Sequence, residues 1–321
     1  MDALSKFSGM TSVSGAPDSP WHAGEVAMQR SVGMAERMES IGRKVLRDYM
    51  PEQHREFYAQ LPFVVLGTVD PQGRAWATLR AGRPGFLHAP GPRRLRLELA
   101  REPADPADAG LEQGDAVGML GIELHTRRRN RLNGVVRRGP ESGFALEVAQ
   151  SFGNCPKYIE PREYAFVQRA PGPVVALAAL DRAARALIGA ADTFFVASYV
   201  DTGVDAGVVG KAGRQVDVSH RGGPPGFVRI DGAGTLTIPD YAGNLFFNTL
   251  GNFLLNPRAG LVFTDFASGD VLQLSGTVEL LPDVPDLGDF PGAQRLWRFT
   301  PQAIVRRPAA LPLRWQRGGG V

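Results

Sequence analysis

The chain is predicted to be α+β and mainly β, built as two related small barrels or sandwiches in tandem, with a helical segment in front and a helix linking them. Three observations carry this prediction. The 321 residues, 43% hydrophobic and 21% charged, are enough for two ordinary domain cores and are not biased towards disorder. The 39 glycines and 25 prolines suit many short strands joined by tight turns. Apolar runs of strand length return in similar order in the second half.

Residues 1–20 are polar and turn-rich and are expected to be disordered. From Trp21, the residues Val26, Met34, Met38, Ile41, Val45 and Leu46 recur at helical spacing, which predicts an amphipathic helix reaching Tyr49 and interrupted near Gly33. Pro51 opens a second helix that ends at Pro62. The period then changes: F-V-V-L-G-T-V, the turn D-P-Q-G and R-A-W-A-T-L-R predict a hairpin from Phe63. Strands are expected at Arg94 to Leu99, Ala116 to Leu124 and Arg129 to Arg137, with the proline-rich stretch Glu102 to Gly110 among them. Residues 21–160 thus make the helical segment and a first small barrel or sandwich. Residues 161–191 form the linker, irregular to Pro173 and then an alanine-rich helix from Val174 to about Gly189. Residues 192–321 return to strands, with F-F-V-A-S-Y-V, Q-V-D-V-S, G-F-V-R-I, T-L-T-I, A-G-L-V-F-T-D-F and V-L-Q-L-S-G-T-V-E-L.

The two halves can be laid on each other. P-F-V-V-L-G-T-V (62–69) matches T-F-F-V-A-S-Y-V (193–200), R-P-G-F-L (83–87) matches P-P-G-F-V (224–228), and Gly118 to Gly134 runs without a gap against Gly260 to Gly276. The shared order of strand, Pro-Gly-Phe turn, strand and terminal glycine argues for duplication.

Several function classes lose their signatures. The lone cysteine, Cys155, permits no intramolecular disulfide and no zinc site of clustered thiolates. Residues 1–20 lack the apolar stretch of a leader, and no run approaches the roughly 18 apolar residues of a membrane span, so a soluble, cytoplasmic protein is expected. Arg127, Arg128, Arg129 and Arg131 crowd together without interleaved aromatics, so no nucleic-acid partner is expected; the run reads equally as a solvated strand face. The histidines, His22, His54, His88, His125 and His220, are too scattered for a metal site. No G-x-G-x-x-G after a strand, G-x-x-x-x-G-K-[ST], H-E-x-x-H or G-x-S-x-G occurs.

Two segments of the second half carry candidate chemistry. Ser219, His220 and Arg221 end a strand before a glycine-rich turn, where a hydroxyl, an imidazole and a guanidinium suit a phosphate. Asn248, Thr249 and Asn252 begin a helix, whose free N–H groups favour an anion; an ordinary cap by Asn or Thr is the other reading.

The strings D-V-S-H-R-G-G-P-P-G-F-V, L-T-I-P-D-Y-A-G-N and N-T-L-G-N-F-L-L-N-P-R-A-G-L-V-F resemble the FMN-binding split-barrel proteins related to pyridoxamine 5′-phosphate oxidase. So do P-W-H-A-G-E, R-R-R-N-R-L-N-G, F-G-N-C-P-K-Y-I and the tail A-L-P-L-R-W, and the likeness runs from about Trp21 to Trp315. The resemblance implies two tandem split β-barrels. It also implies FMN between them, with Ser219, His220, Arg221, Asn248, Thr249 and Asn252 on its phosphate. Where the family often has Ser-x-Lys at the helix start, this chain has Asn248-Thr249-Leu250.

In that family two chains usually share the site, so the second wall here is expected from the first half: Asn154, Cys155, Lys157 and Tyr158, with Arg129 and Arg131 on the preceding strand. Cys155 reads as a packing residue or as a redox thiol. Arg314 and Trp315 would close over the flavin ring or tuck onto the barrel. The implied activity is an FMN-dependent oxidoreductase acting with a small-molecule substrate or electron donor; the alternatives are a haem or deazaflavin protein and a non-catalytic flavin carrier. The internal repeat either replaces the family's homodimer or pairs again.

Overall fold

The computed structural model describes residues 19–140, 142–201, 213–281 and 288–318, so almost all of the expected disordered start lies outside the described residues. The N-terminal segment forms α1 (Ala23–Ser31) and α2 (Ala35–Val45), parted at Gly33 with its φ of 69°, and then α3 (Glu52–Ala59). His22 caps α1 reciprocally. Its Nδ1 accepts from the Gly24 N–H at 3.1 Å, and Glu25 accepts from the His22 N–H at 3.0 Å.

The first sheet comprises β1 (Phe63–Val69), β2 (Ala75–Ala81), β3 (Leu87–Gly91), β4 (Arg94–Leu97), β5 (Ala116–Glu123), β6 (Arg128–Arg137) and β7 (Phe144–Gly153). Its order is β2-β1-β5-β6-β7-β4-β3. After β8 (Arg162–Phe166), β9 (Val175–Leu177) and α4 (Arg182–Ala190) come β10 (Thr193–Asp201), β11 (Arg214–Gly222), β12 (Arg229–Ile230) and β13 (Leu236–Tyr241). Helix α5 (Asn248–Leu255) precedes β14 (Arg258–Thr264), β15 (Val271–Leu281), β16 (Ala293–Arg307) and β17 (Leu313–Arg317). The second sheet runs β11-β10-β14-β15-β16-β13-β12, the same path strand for strand, with β9 added on β16. Strands β8 and β17 pair with each other.

The 142-residue offset between Gly118–Gly134 and Gly260–Gly276 is the offset between equivalent strand pairs. Even the irregularities agree, because the ladder slips between Asn133 and Gly134 in one barrel and between Ser275 and Gly276 in the other. The match of 62–69 to 193–200, by contrast, is one residue out. Gly67 lies opposite Gly118 as Ala197 lies opposite Gly260, so Gly67 corresponds to Ala197 and not to Ser198. Every residue of β1 is buried, as is nearly all of β10, so neither strand has the polar alternation that would fix its register.

The linker also departs from expectation. Val175–Leu177 is a strand on β16, and the helix starts only at Arg182, where the Asp181 carboxylate accepts from the Ala184 N–H at 2.8 Å. The stretch expected to be irregular contains β8.

The three largest apolar clusters among the described residues fill the barrels and the space between them. One fills the first barrel around Phe57, Leu66 and Phe144; another fills the second around Phe194, Phe263 and Trp297. The third, with Phe63, Val65, Leu120, Phe195, Val262 and Trp315, lies between them. Glycine lets the sheets approach there: a Cβ on Gly118 would stand 2.8 Å from the Asp217 backbone, and one on Gly260 would stand 2.5 Å from the Ala75 carbonyl oxygen. No helix among the described residues is long and apolar enough to cross a membrane.

Candidate functional site

The sheets meet along β11, and beside it a polar cleft opens to solvent. The first barrel contributes Arg129 and Arg131, two positions apart on β6, and Asn154, Cys155, Lys157 and Tyr158 from the turn after β7. The second contributes Ser219, His220 and Arg221 of β11, Asp240 and Tyr241 of β13, Asn244, Phe247 and the start of α5, and Arg295 of β16.

Arg131 is the hub across the junction. It donates to Asp217 at 2.8 Å, to Ser219 at 2.5 Å and to the Asn248 side-chain oxygen at 3.0 Å. The Ser219 and Thr249 hydroxyls lie 2.8 Å apart. Asn248 also donates to Glu25, whose complete burial raises its carboxyl above the usual range, against the lowering effect of His22 and Asn248. Helix α1 is thereby tied to the start of α5, and the contact is close, because a Cβ on Gly24 would stand 2.1 Å from the Gly251 carbonyl oxygen.

Arg129 is held differently. It donates to the Cys155 carbonyl at 2.8 Å and to His220 Nδ1 at 3.1 Å, and no carboxylate among the described residues pairs with it. Burial, with Arg131 and Arg221 adding to it, pushes Arg129 down to about 10. A guanidinium only donates, so His220 must accept at Nδ1 and carry its proton on Nε2. Burial first, then Arg129 and Arg221, hold His220 well below 6.5, which leaves it neutral.

Four buried donors beside the cleft have no partner: Arg131 Nε, Asn154 Nδ2, His220 Nε2 and Arg221 Nε. An unsatisfied buried donor costs about 1–3 kcal/mol, so the cluster favours a ligand rich in acceptors. Helix α5 adds to this. Its first residues line the cleft, Phe247 before them has a left-handed φ of 60°, and no side chain caps the helix. The donor set suits a phosphate.

Residues 50–175 match the family model described as pyridoxamine 5′-phosphate oxidase. The first barrel belongs to that family. No curated protein matches the chain in sequence. Among solved structures the chain is similar to a HupZ variant from Group A Streptococcus, at 13% identity over 40% of this chain and 98% of that one, with a TM-score of 0.30. It is also similar to an FAD-binding protein of Mesorhizobium loti, at 18% over 42% and 97% with a TM-score of 0.28. HutZ, the heme storage protein of Vibrio cholerae, matches at 14% over 40% and 95%, again with a TM-score of 0.28.

Most residues singled out from sequence gather at the cleft: Arg129, Arg131, Asn154, Cys155, Lys157, Tyr158, Ser219, His220, Arg221, Asn248 and Thr249. Asn252 does not reach it. One turn deeper, it accepts from His22 at 2.8 Å and donates to Ser198 at 2.9 Å, anchoring α5. Arg314 and Trp315 are elsewhere. Trp315 packs edge-on against Phe63 and Phe266, each at 5.4 Å, while alternation along β17 turns Arg314 to solvent.

Sequence reasoning missed Asp240, which accepts from Arg221 at 2.7 Å and Arg295 at 3.3 Å, and Tyr241, whose ring lies 5.4 Å from that of Tyr158 at a 30° tilt. Both lie in P-D-Y-A-G-N, so a signal for them was present. Arg295 sits on a strand the sequence did not disclose.

The buried histidines make stability depend on pH. Burial, with Arg47 and Arg128 nearby, brings His54 down to about 4, and His220 is lowered in the same direction. Between 6.5 and about 4 the unfolded chain therefore binds more protons than the folded one, and stability present above 6.5 is lost as pH falls. Urea midpoints measured from pH 8 to pH 5 should decline below 6.5, and His54→Asn should flatten that decline.

Proposed function

We propose that the cleft binds FMN and that the protein is an FMN-dependent oxidoreductase. The observation that carries this reading is the set of four unpaired, buried donors on residues that line the cleft between the barrels. In this reading Arg131, Asn154, His220 and Arg221 hold the phosphate together with the open start of α5. Arg129 supplies positive charge that no carboxylate among the described residues cancels. Tyr158 and Tyr241 offer an aromatic face at the rim for a planar ring. The family match over the first barrel agrees with it. When bound, the flavin supplies hydride or electron transfer, so the side chains need only bind, orient and shield it. A small-molecule substrate or electron donor would enter from the open side. Both walls come from one chain, so completing the cleft needs no second copy.

The test is an absorbance spectrum of the purified protein, with mass spectrometry of what denaturation releases, followed by anaerobic addition of nicotinamide donors. Released FMN that is lost in Arg221→Ala and bleached by a donor is the expected result. Released haem, a deazaflavin, or failure to take up added FMN would overturn the reading. FMN that no donor reduces would leave a flavin carrier.

A further inference from the structure

Two barrels with the same strand path generate two equivalent positions at their junction, and the ladders say which residues correspond. Gly118 and Gly260 are equivalent, so Arg131 on β6 corresponds to Gln273 on β15. On the edge strands, Ser219 corresponds to Thr78 and Arg221 to Arg80, because Leu66 pairs with Thr78 as Val196 pairs with Ser219. Where the open cleft has the start of α5, the first barrel has a short 3-10 helix, Pro106–Gly110, capped by Asp105.

That second position is filled by the chain itself. The Asp105 carboxylate is fully buried and accepts from Thr78 at 2.5 Å, from Gln273 at 2.8 Å and from the Ala107 N–H at 3.0 Å. It pairs with Arg307 at 3.0 Å and Arg80 at 3.9 Å. Asp108 lies 3.3 Å from Arg80, and Glu102 pairs with both arginines. Two buried guanidiniums thus face three carboxylates, of which Asp108 also pairs with the exposed Arg101 at 3.3 Å. None of the side-chain nitrogens and oxygens of Thr78, Arg80, Asp105, Gln273 or Arg307 is left buried without a partner. At the open cleft the balance is reversed, with Arg129, Arg131, Lys157, Arg221 and Arg295 against Asp217 and Asp240.

We infer that the second position is an anion site closed by Asp105 and Glu102, so that each chain takes one phosphate-bearing ligand rather than two. For the ligand's class this rests on the phosphate reading of the open cleft; the closure itself does not. Asp105 serves the buried arginines as an internal anion, and its removal should let an external one take its place.

The test counts inorganic phosphate by equilibrium dialysis in the full chain. The unaltered protein should bind one phosphate, and Arg129→Ala with Arg221→Ala should bind none. Adding Glu102→Ala and Asp105→Ala to that background should restore one phosphate, with affinity higher by about tenfold or more. Two phosphates on the unaltered chain, or no restored binding in a folded variant, would overturn the inference. If the quadruple variant does not fold, Glu102→Ala alone removes the partly exposed carboxylate. Phosphate should then raise its melting temperature more than it raises that of the unaltered protein, and an equal rise counts against the closure. If the unaltered chain takes no phosphate but the opened variant takes one, the FMN reading fails and the closure stands.

Discussion

Replacing Arg129 with glutamine is expected to weaken FMN binding by about 10- to 100-fold while leaving the ligand-free protein as stable as before, or more so. The two effects share one cause. Arg129 is half-buried and lowered to about 10, with a carbonyl and a neutral imidazole as its partners. At neutral pH it is still charged, and its desolvation is not offset by a carboxylate, so it costs stability until an anion arrives. A charged hydrogen bond to the ligand is worth about 1.5–3 kcal/mol, which sets the loss. Arg131→Gln should behave oppositely in the ligand-free protein. It would strand the buried Asp217 carboxylate and cost about 3 kcal/mol even without ligand. Melting curves with and without FMN, beside a fluorescence titration, separate the two. Equal destabilisation by both variants would show that Arg129 holds the fold and not a ligand.

That contrast was only half legible in the sequence. The crowding of Arg129 and Arg131 was visible, but their different partners come from β11, some 90 residues later, and pairing across that distance leaves no local pattern. Glycines were more informative, because Gly134 and Gly276 mark matching bulges and kept the 142-residue offset readable despite low identity. Strands buried on both faces carried no such mark, which is how the 62–69 match slipped by one. Strand β7 was missed although Phe144, Leu146 and Val148 alternate inward along it. Strand β16 was concealed for a physical reason. Pro301 argues against a central strand, yet it stands at the bulge opposite Gly276, where its missing N–H is tolerated. With β16 unseen, Arg295 and Arg307 could not be placed, and the closed second position had no sequence signal.

The duplicated glycines make the other large prediction. Gly118→Val and Gly260→Val should each destabilise the protein by more than about 3 kcal/mol, because the new side chain meets backbone that cannot step aside. On Gly118 even a Cβ would lie 2.8 Å from Asp217 Cα, and on Gly260 it would lie 2.6 Å from Trp76 Cα. Gly67→Ala is the internal control. Its nearest neighbours would be the methyl and methine carbons of Ala197 and Val218 at 3.0 and 3.1 Å, and the equivalent residue in the second barrel is already alanine. Small shifts should absorb that change for about 1 kcal/mol. Urea unfolding gives the ordering, and a loss of less than about 1 kcal/mol in either valine variant would show that the barrels are not pressed together at these crossings. The functional consequence follows from Arg131, which reaches from β6 of one barrel to Asp217, Ser219 and Asn248 of the other. A valine that wedges β5 away from β11 moves the neighbouring β6 with it and pulls Arg131 from all three. FMN binding should therefore fall more steeply in Gly118→Val, beside Asp217, than in Gly260→Val, beside the closed position.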